Sequence, residues 1–95
     1  MQGAVLIHVT IVDGREEEAQ QQLEAMVVPM IKSLPGFQAT YHLGPASGTR
    51  GVGVVIFDSE ENAASAAAGV NSMPRPENNP VTIDSVEVLR VVASA

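Results

Sequence analysis

Cysteine and tryptophan are absent from this chain of 95 residues, and only Phe37, Phe57 and Tyr41 are aromatic in the Phe/Tyr/Trp sense. Without cysteine there is no disulfide framework, no thiolate nucleophile and no cysteine-ligated metal. Basic residues are also scarce. Arg15, Lys32, Arg50, Arg75 and Arg90 are dispersed against eleven carboxylates, and the resulting net charge of -6 favours solubility and argues against a nucleic-acid or anionic-membrane surface. HExxH, a phosphate-cradling glycine loop after a first strand and GxSxG are all missing, which removes the commonest zinc-hydrolase, nucleotide and serine-hydrolase readings. Two histidines without a third ligand at a convincing spacing do not make a metal site. The longest early apolar run, Ala4 to Val9, is too short to span a bilayer and lacks the flanks of a signal peptide. A single small domain over residues 1–95, cytoplasmic by default and marginal as an isolated monomer, is the expectation.

The most informative stretch lies between Arg15 and Leu43. Ala19, Leu23, Met26, Met30 and Leu34, widened by Val27 and Ile31, recur at spacings of three and four and predict a long helix with one buried face. Asp13 stands where a cap would, with Glu16 three residues on and Glu17 and Glu18 reinforcing the negative start. Pro29 removes the bond to the Ala25 carbonyl, so a bend or a tighter last turn is expected there, and Pro35-Gly36 ends the helix. Beyond it Phe37, Ala39, Tyr41 and Leu43 alternate with Gln38, Thr40 and His42, the period of a strand.

Further strands are expected over Ala4 to Val12, Arg50 to Phe57 and Val81 to about Val92, with a turn at Gly44 to Gly48 and a loop from Met73 to Pro80. Asp58, followed by Glu61, is a plausible cap for a second, alanine-rich helix that Gly69 could end. The order β-α-β-β-α-β matches the split βαβ motif of the ferredoxin-like α+β class. Right-handed crossovers then put both helices on one face of a four-stranded antiparallel sheet, with the first and third strands central. Those two strands are apolar on both faces, whereas two helices cover only one. A second copy of the chain is the simplest cover for the other, so a homodimer is expected. Val55 is a candidate for that interface.

Candidate site residues follow from strand parity. Tyr41 and His42 are adjacent and must point to opposite faces. Tyr41 reads as a partly buried core tyrosine, and Met26, Met30 and Met73 as core or cavity packing. His8, between Leu6 and Thr10, occupies the weaker apolar face of the first strand, where it could look into a cleft. Arg50 at a cavity rim could hold an anionic oxygen, or simply pair with a carboxylate. Asn62 and Asn71 near the ends of the second helix are solvent-facing or cap-like in their plainest use.

The combination of PMIKSLPGFQA, GVGVVIFDSEENAASAA and the closing VTIDSVEVLRVV resembles the antibiotic biosynthesis monooxygenase-like family of dimeric α/β barrels. Pro35-Gly36-Phe37 is its most recognisable local feature, and the similarity covers nearly the whole chain. The resemblance implies two ferredoxin-like sheets packed face to face in a homodimer, each with a cavity between sheet and helices or loops. Some members oxidise aromatic polyketides with molecular oxygen and no bound flavin or metal; others bind and degrade haem. The quinone-forming members use tryptophan, asparagine, tyrosine and arginine, and the haem degraders an asparagine on the first strand, a tryptophan and a histidine ligand. This chain has no tryptophan, and His8 stands in the middle of its first strand. By type, Tyr41, Arg50 and Asn62 could stabilise or orient a substrate oxygen, and His8 or His42 could act as base, since an imidazole titrates at about 6.5. The resemblance therefore implies monooxygenase-like chemistry on a small aromatic or polyketide-like molecule without a cofactor; a non-catalytic ligand-binding or structural homodimer and a polyketide cyclase or isomerase are the alternatives.

Overall fold

Four strands, β1 (Gly3–Ile11), β2 (Phe37–Leu43), β3 (Arg50–Phe57) and β4 (Val81–Arg90), pair antiparallel in the order β2-β3-β1-β4 in the computed structural model, which describes residues 1–44, 49–72 and 78–95. The first and third strands are central, as their two-sided apolar sequence predicts. Between β1 and β2 runs one continuous helical stretch made of α1 (Glu16–Gln22), a π-helical segment (Leu23–Val27) and α2 (Val28–Lys32); α3 (Glu60–Ser72) joins β3 to β4. Positions 45–48 of the turn expected at Gly44 to Gly48, and Met73 and Arg75 with most of the loop that contains them, lie outside the described residues.

Both helical layers pack on the sheet face that carries Val5, Val55 and Phe57. These residues are buried together with Ile31 of α2 and Ala63 and Ala67 of α3, and Ile7, Val27, Leu34, Phe37 and Val86 pack around them. Alanines at the α3 contact let that helix come close to the sheet, chiefly over β1 and β4, while α2 lies on β2. Val55 is therefore core, only 3% exposed, and the expectation that it faces a partner is overturned. The register supplies the reason: Val55 pairs with Val5, so both point under the helices, whereas Val54 pairs with Leu6 on the opposite side.

Pro29 loosens the helix rather than tightening it. The Val28 N–H reaches five residues back to the Leu23 carbonyl, and Pro29 itself has no N–H to donate. A wider turn gives the proline ring room at the preceding carbonyls, a known origin of π-helical segments within α-helices. The buried stripe shifts accordingly to Ala19, Val27, Ile31 and Leu34, and Met26 and Met30 turn outward instead of filling the core.

Helix starts also differ from the cap residues read in the sequence. No side chain caps α1, whose preceding residue is Arg15 rather than Asp13; Glu16 reaches back to the Gly14 N–H instead, at 3.3 Å. At α3 the cap is Ser59, whose Oγ accepts the Asn62 N–H at 3.1 Å. Asp58 is left to join the two crossovers: its N–H donates to the Gly36 carbonyl at 2.9 Å and its Oδ1 accepts from Asn62 Nδ2 at 2.8 Å. Gly36 has a φ of +78°, and a side chain there would overlap both the Asp58 carboxylate and the Asn62 amide. The α3 helix runs through Gly69 to Ser72.

Two irregularities reset parity in the edge strands. Phe37 and Ala39 pair with the consecutive residues Phe57 and Ile56, which makes Gln38 an extra residue in β2. In β4, Asp84 is extra between Ser85, opposite His8, and Ile83, opposite Val9. Ile83 thus shares the helix side with Val86, although simple alternation sets them on opposite faces. Since Phe57 is 1% exposed at the centre of the core, Phe57→Ala should cost about 3–5 kcal/mol in urea unfolding; a loss below about 1 kcal/mol would contradict this packing.

Candidate functional site

The bulge at Gln38 decides where the candidate residues point. Phe37 enters the core on the helix side, and after the extra residue Thr40 and His42 occupy that same side, opposite Val55 and Gly53. Ala39, Tyr41 and Leu43 fall on the open side, opposite Ile56, Val54 and Val52. Tyr41 and His42 do face opposite ways, as their adjacency requires. Tyr41, however, is 60% exposed and not a core tyrosine, because the bulge separates it from Phe37.

His8 shares the open face, flanked by Val52 and Ser85. Arg50 pairs with Thr10 at the edge of this face, where Thr10 Oγ1 donates to Asp84 Oδ2 at 2.6 Å. Asn62 stands at the start of α3, its amide committed to Asp58 at the Gly36 turn. The five residues are therefore distributed among three places: His8, Tyr41 and Arg50 on the open sheet, His42 beneath the helical side, and Asn62 at the α3 start. Arg90, by contrast, pairs with Glu60 at 2.9 Å, the plain ion pair expected for an arginine among carboxylates.

On the helix side a cavity of about 20 Å³ lies between α2 and α3, lined by Val5, Ile7, Ile31, Val55, Phe57 and Val70 among others. It has room for about one water. Its lining residue Ile7 pairs with Gly53, and Gly53 pairs in turn with His42, so the imidazole stands across one glycine from the cavity's edge. A Cβ on Gly53 would lie 3.3 Å from His42 Nδ1, which shows the ring resting over the space that the missing side chain leaves. His42 Nε2 is 2.9 Å from Thr40 Oγ1. Nδ1 has no hydrogen-bond partner among the described residues, yet no buried side-chain nitrogen or oxygen is left unsatisfied, so Nδ1 is accessible. Thr40 is the part that the sequence reading passed over; its i, i+2 spacing from His42 on one strand face was the signal available.

A wider cleft of about 410 Å³ separates the helix from the start of β4 and is lined by Glu18, Gln21, Gln22, Met26, Asn78 and Asn79, with Ala25 and Pro80. Arg15 fastens one side by donating to Asn78 Oδ1 and the Asn78 carbonyl, at 3.1 and 3.0 Å. This cleft lies beside the methionine-bearing helix, and His8, Tyr41 and His42 do not line it. Among the described residues there is no group of three metal-ligating side chains, and no helix is long and apolar enough to cross a membrane.

No family model and no curated protein matches the chain significantly. Solved structures do. A haem-degrading protein of Mycobacterium tuberculosis, determined with two haems in its active site, aligns at TM-score 0.72 and 20% identity over 98% of each chain. A cofactor-independent oxygenase of Streptomyces nogalater aligns at 0.66 and 11% identity, over 98% of this chain and 95% of that one. A monooxygenase of Streptomyces coelicolor in complex with nanaomycin D aligns at 0.58 and 18% identity, covering 98% and 90%. The chain thus shares the ferredoxin-like fold of these structures.

Burial lowers the pKa of His42 by disfavouring the imidazolium. Its NMR titration should therefore lie below the ordinary value of about 6.5, with a neutral ring at pH 7. The sign for stability follows: folding favours the neutral ring, so the contribution is full above the unfolded pKa and is lost as pH falls through that value toward the folded one. His42→Gln should flatten stability against pH in that acidic window; an unchanged profile would show that burial does not bear on the charge.

Proposed function

We propose that this chain acts as a homodimeric, monooxygenase-like protein that oxidises a small, mostly apolar phenolic or polyketide-like molecule with molecular oxygen and no bound cofactor, using His42 as the base. The observation that carries this reading is the accessible, unpartnered Nδ1 of a half-buried histidine placed beside an apolar cavity. Burial keeps the ring in its neutral, proton-accepting form at neutral pH. Proton transfer from a phenolic or enolic hydroxyl to this ring leaves an electron-rich anion. Its ring carbon then supplies electrons to O2 and forms a C–O bond; the peroxide takes back a proton, and loss of water turns the former CH2 carbon into a carbonyl. One O2 is consumed and one water released per turnover. Apolar walls raise the rate by excluding bulk water from the anion.

The face that carries Leu6, Val54, Ile56, Tyr41, Leu43 and Leu89 is the surface for the second copy. Tyr41, Leu43 and Leu89 are exposed on it, and a specific interface needs roughly 800 Å² per partner. On this reading His8, Tyr41 and Arg50 belong to the subunit contact rather than to the base's surroundings. A cavity that holds one water favours a second reading, a structural or binding dimer without turnover, because an aromatic ring enters only if α2 and α3 separate.

Haem does not fit this arrangement. The space between α2, α3 and the sheet, about 20 Å³, is far below a macrocycle's size. Haemin titration should give no Soret shift. Sedimentation equilibrium at low micromolar concentration should give twice the chain mass, and Val54→Asp should reduce it toward the monomer with the fold retained, since a carboxylate at a buried contact is costly. Oxygen uptake and product mass with hydroxylated anthrones test the chemistry. Turnover lost in His42→Gln supports oxygenation; saturable binding without oxygen gain supports the second reading, and a redox-neutral product supports cyclase or isomerase activity.

A further inference from the structure

We infer that Arg50 of each copy pairs with Asp84 of the other across the open sheet face, and that this crossed ion pair fixes how the two chains are seated on one another. The inference rests on the homodimer proposed above and adds to it the partner residue and the orientation. Among the described residues Arg15 pairs with Glu18 and Arg90 with Glu60, whereas Arg50, exposed at the start of β3, forms no ion pair. Asp84 is its counterpart. It is the extra residue of β4, its Oδ2 accepts from Thr10 Oγ1 at 2.6 Å, and no cation among the described residues meets it. Both belong to the open face: Arg50 follows the alternation of Val54 and Val52, and the Thr10 hydroxyl holds Asp84 on the same side.

Within one chain the two charges stand apart. Arg50 pairs with Thr10 on one side of β1 and Asp84 lies on the other, so two strand spacings, about 10 Å, separate their backbones. A two-fold axis that lies between the sheets and passes over Thr10, midway between the two positions, exchanges them. Arg50 of one copy then comes over the partner's Asp84, twice by symmetry. The same axis runs obliquely along the face toward Val54 and Tyr41, so the apolar part of each sheet meets the apolar part of the other. An axis across the strands would instead set the Arg50 and Thr10 end on Ile56 and Ala4 and bury a guanidinium against aliphatic side chains. Glu87 sits farther along β4, at the level of Leu6, and takes no part in the pair. Exposed ion pairs add little affinity, but like charges set against each other are costly, so the pair acts on orientation and partner choice.

The test exchanges the charges in the full chain, at low ionic strength where exposed charges are least screened. Arg50→Glu alone, or Asp84→Lys alone, meets its own copy with like charges at two equivalent places and should dimerise roughly tenfold or more weakly than the natural chain. Mixed in equal amounts, the two variants should form a heterodimer of near-natural affinity, read by its mass in native mass spectrometry, because both contacts then join opposite charges. Glu87→Lys changes the net charge as Asp84→Lys does, on the same strand and face, and should not rescue Arg50→Glu. If Asp84→Lys disturbs the bulge, the Arg50→Glu, Asp84→Asn double variant keeps the shape, removes the repulsion and should recover the dimer that Arg50→Glu loses. A natural chain that dimerises while both charge variants dimerise equally well, or a heterodimer that forms as readily with Glu87→Lys, overturns the inference and leaves the dimer standing. A monomeric natural chain overturns the dimer and the ion pair together.

Discussion

The burial of Phe37 beside Phe57 governs the arrangement of the whole edge of the sheet. Phe37 is the first residue of β2, immediately after a turn whose position is fixed by Gly36, and it must enter the helix-side core at once. Without the extra residue Gln38, strict alternation would carry Phe37, Ala39, Tyr41 and Leu43 to that side together. The bulge lets the chain bury its aromatic residue and then exchange faces, which brings Thr40 and His42 beneath the helices and sends Tyr41 out. Core packing and the placement of the His42 imidazole are thus one event.

The helical layer shows a comparable exchange between local backbone chemistry and packing. Pro29 offers no hydrogen-bond donor, and the five-residue reach of Val28 absorbs the disturbance within a continuous helix. The wider turn leaves Val27 and Ile31 on the core and moves Met26 to the cleft lined by amides. A side chain expected inside becomes part of an outer wall without a change in the number or order of elements.

Element order, strand positions, the central pair and the turn at Pro35-Gly36 were legible in the sequence because they rest on periodicity and on residues with narrow backbone preferences. The bulges at Gln38 and Asp84 were not. Neither position carries glycine or proline, and each is extra only relative to a neighbour distant in sequence, so pairing geometry has to be known first. The missed parity accounts for the misplacement of Tyr41 and of Ile83 relative to Val86. Val55 was misassigned for a related reason: both faces of β3 are apolar, and composition does not say which one receives the helices. The opposed directions of Tyr41 and His42 survive, since adjacent strand residues diverge whatever the register. Caps were misread because Asp13 and Asp58 are chemically suitable, whereas the geometry uses Glu16 for a backward contact at one helix and Ser59 at the other.

Asp58 binds the Gly36 carbonyl and Asn62 together, so the end of the first crossover and the beginning of α3 are fastened at one corner of the molecule. Val70, near the other end of α3, is a wall of the cavity. The two helical layers are therefore pinned together by directional bonds at Gly36, while at the cavity they meet through apolar side chains.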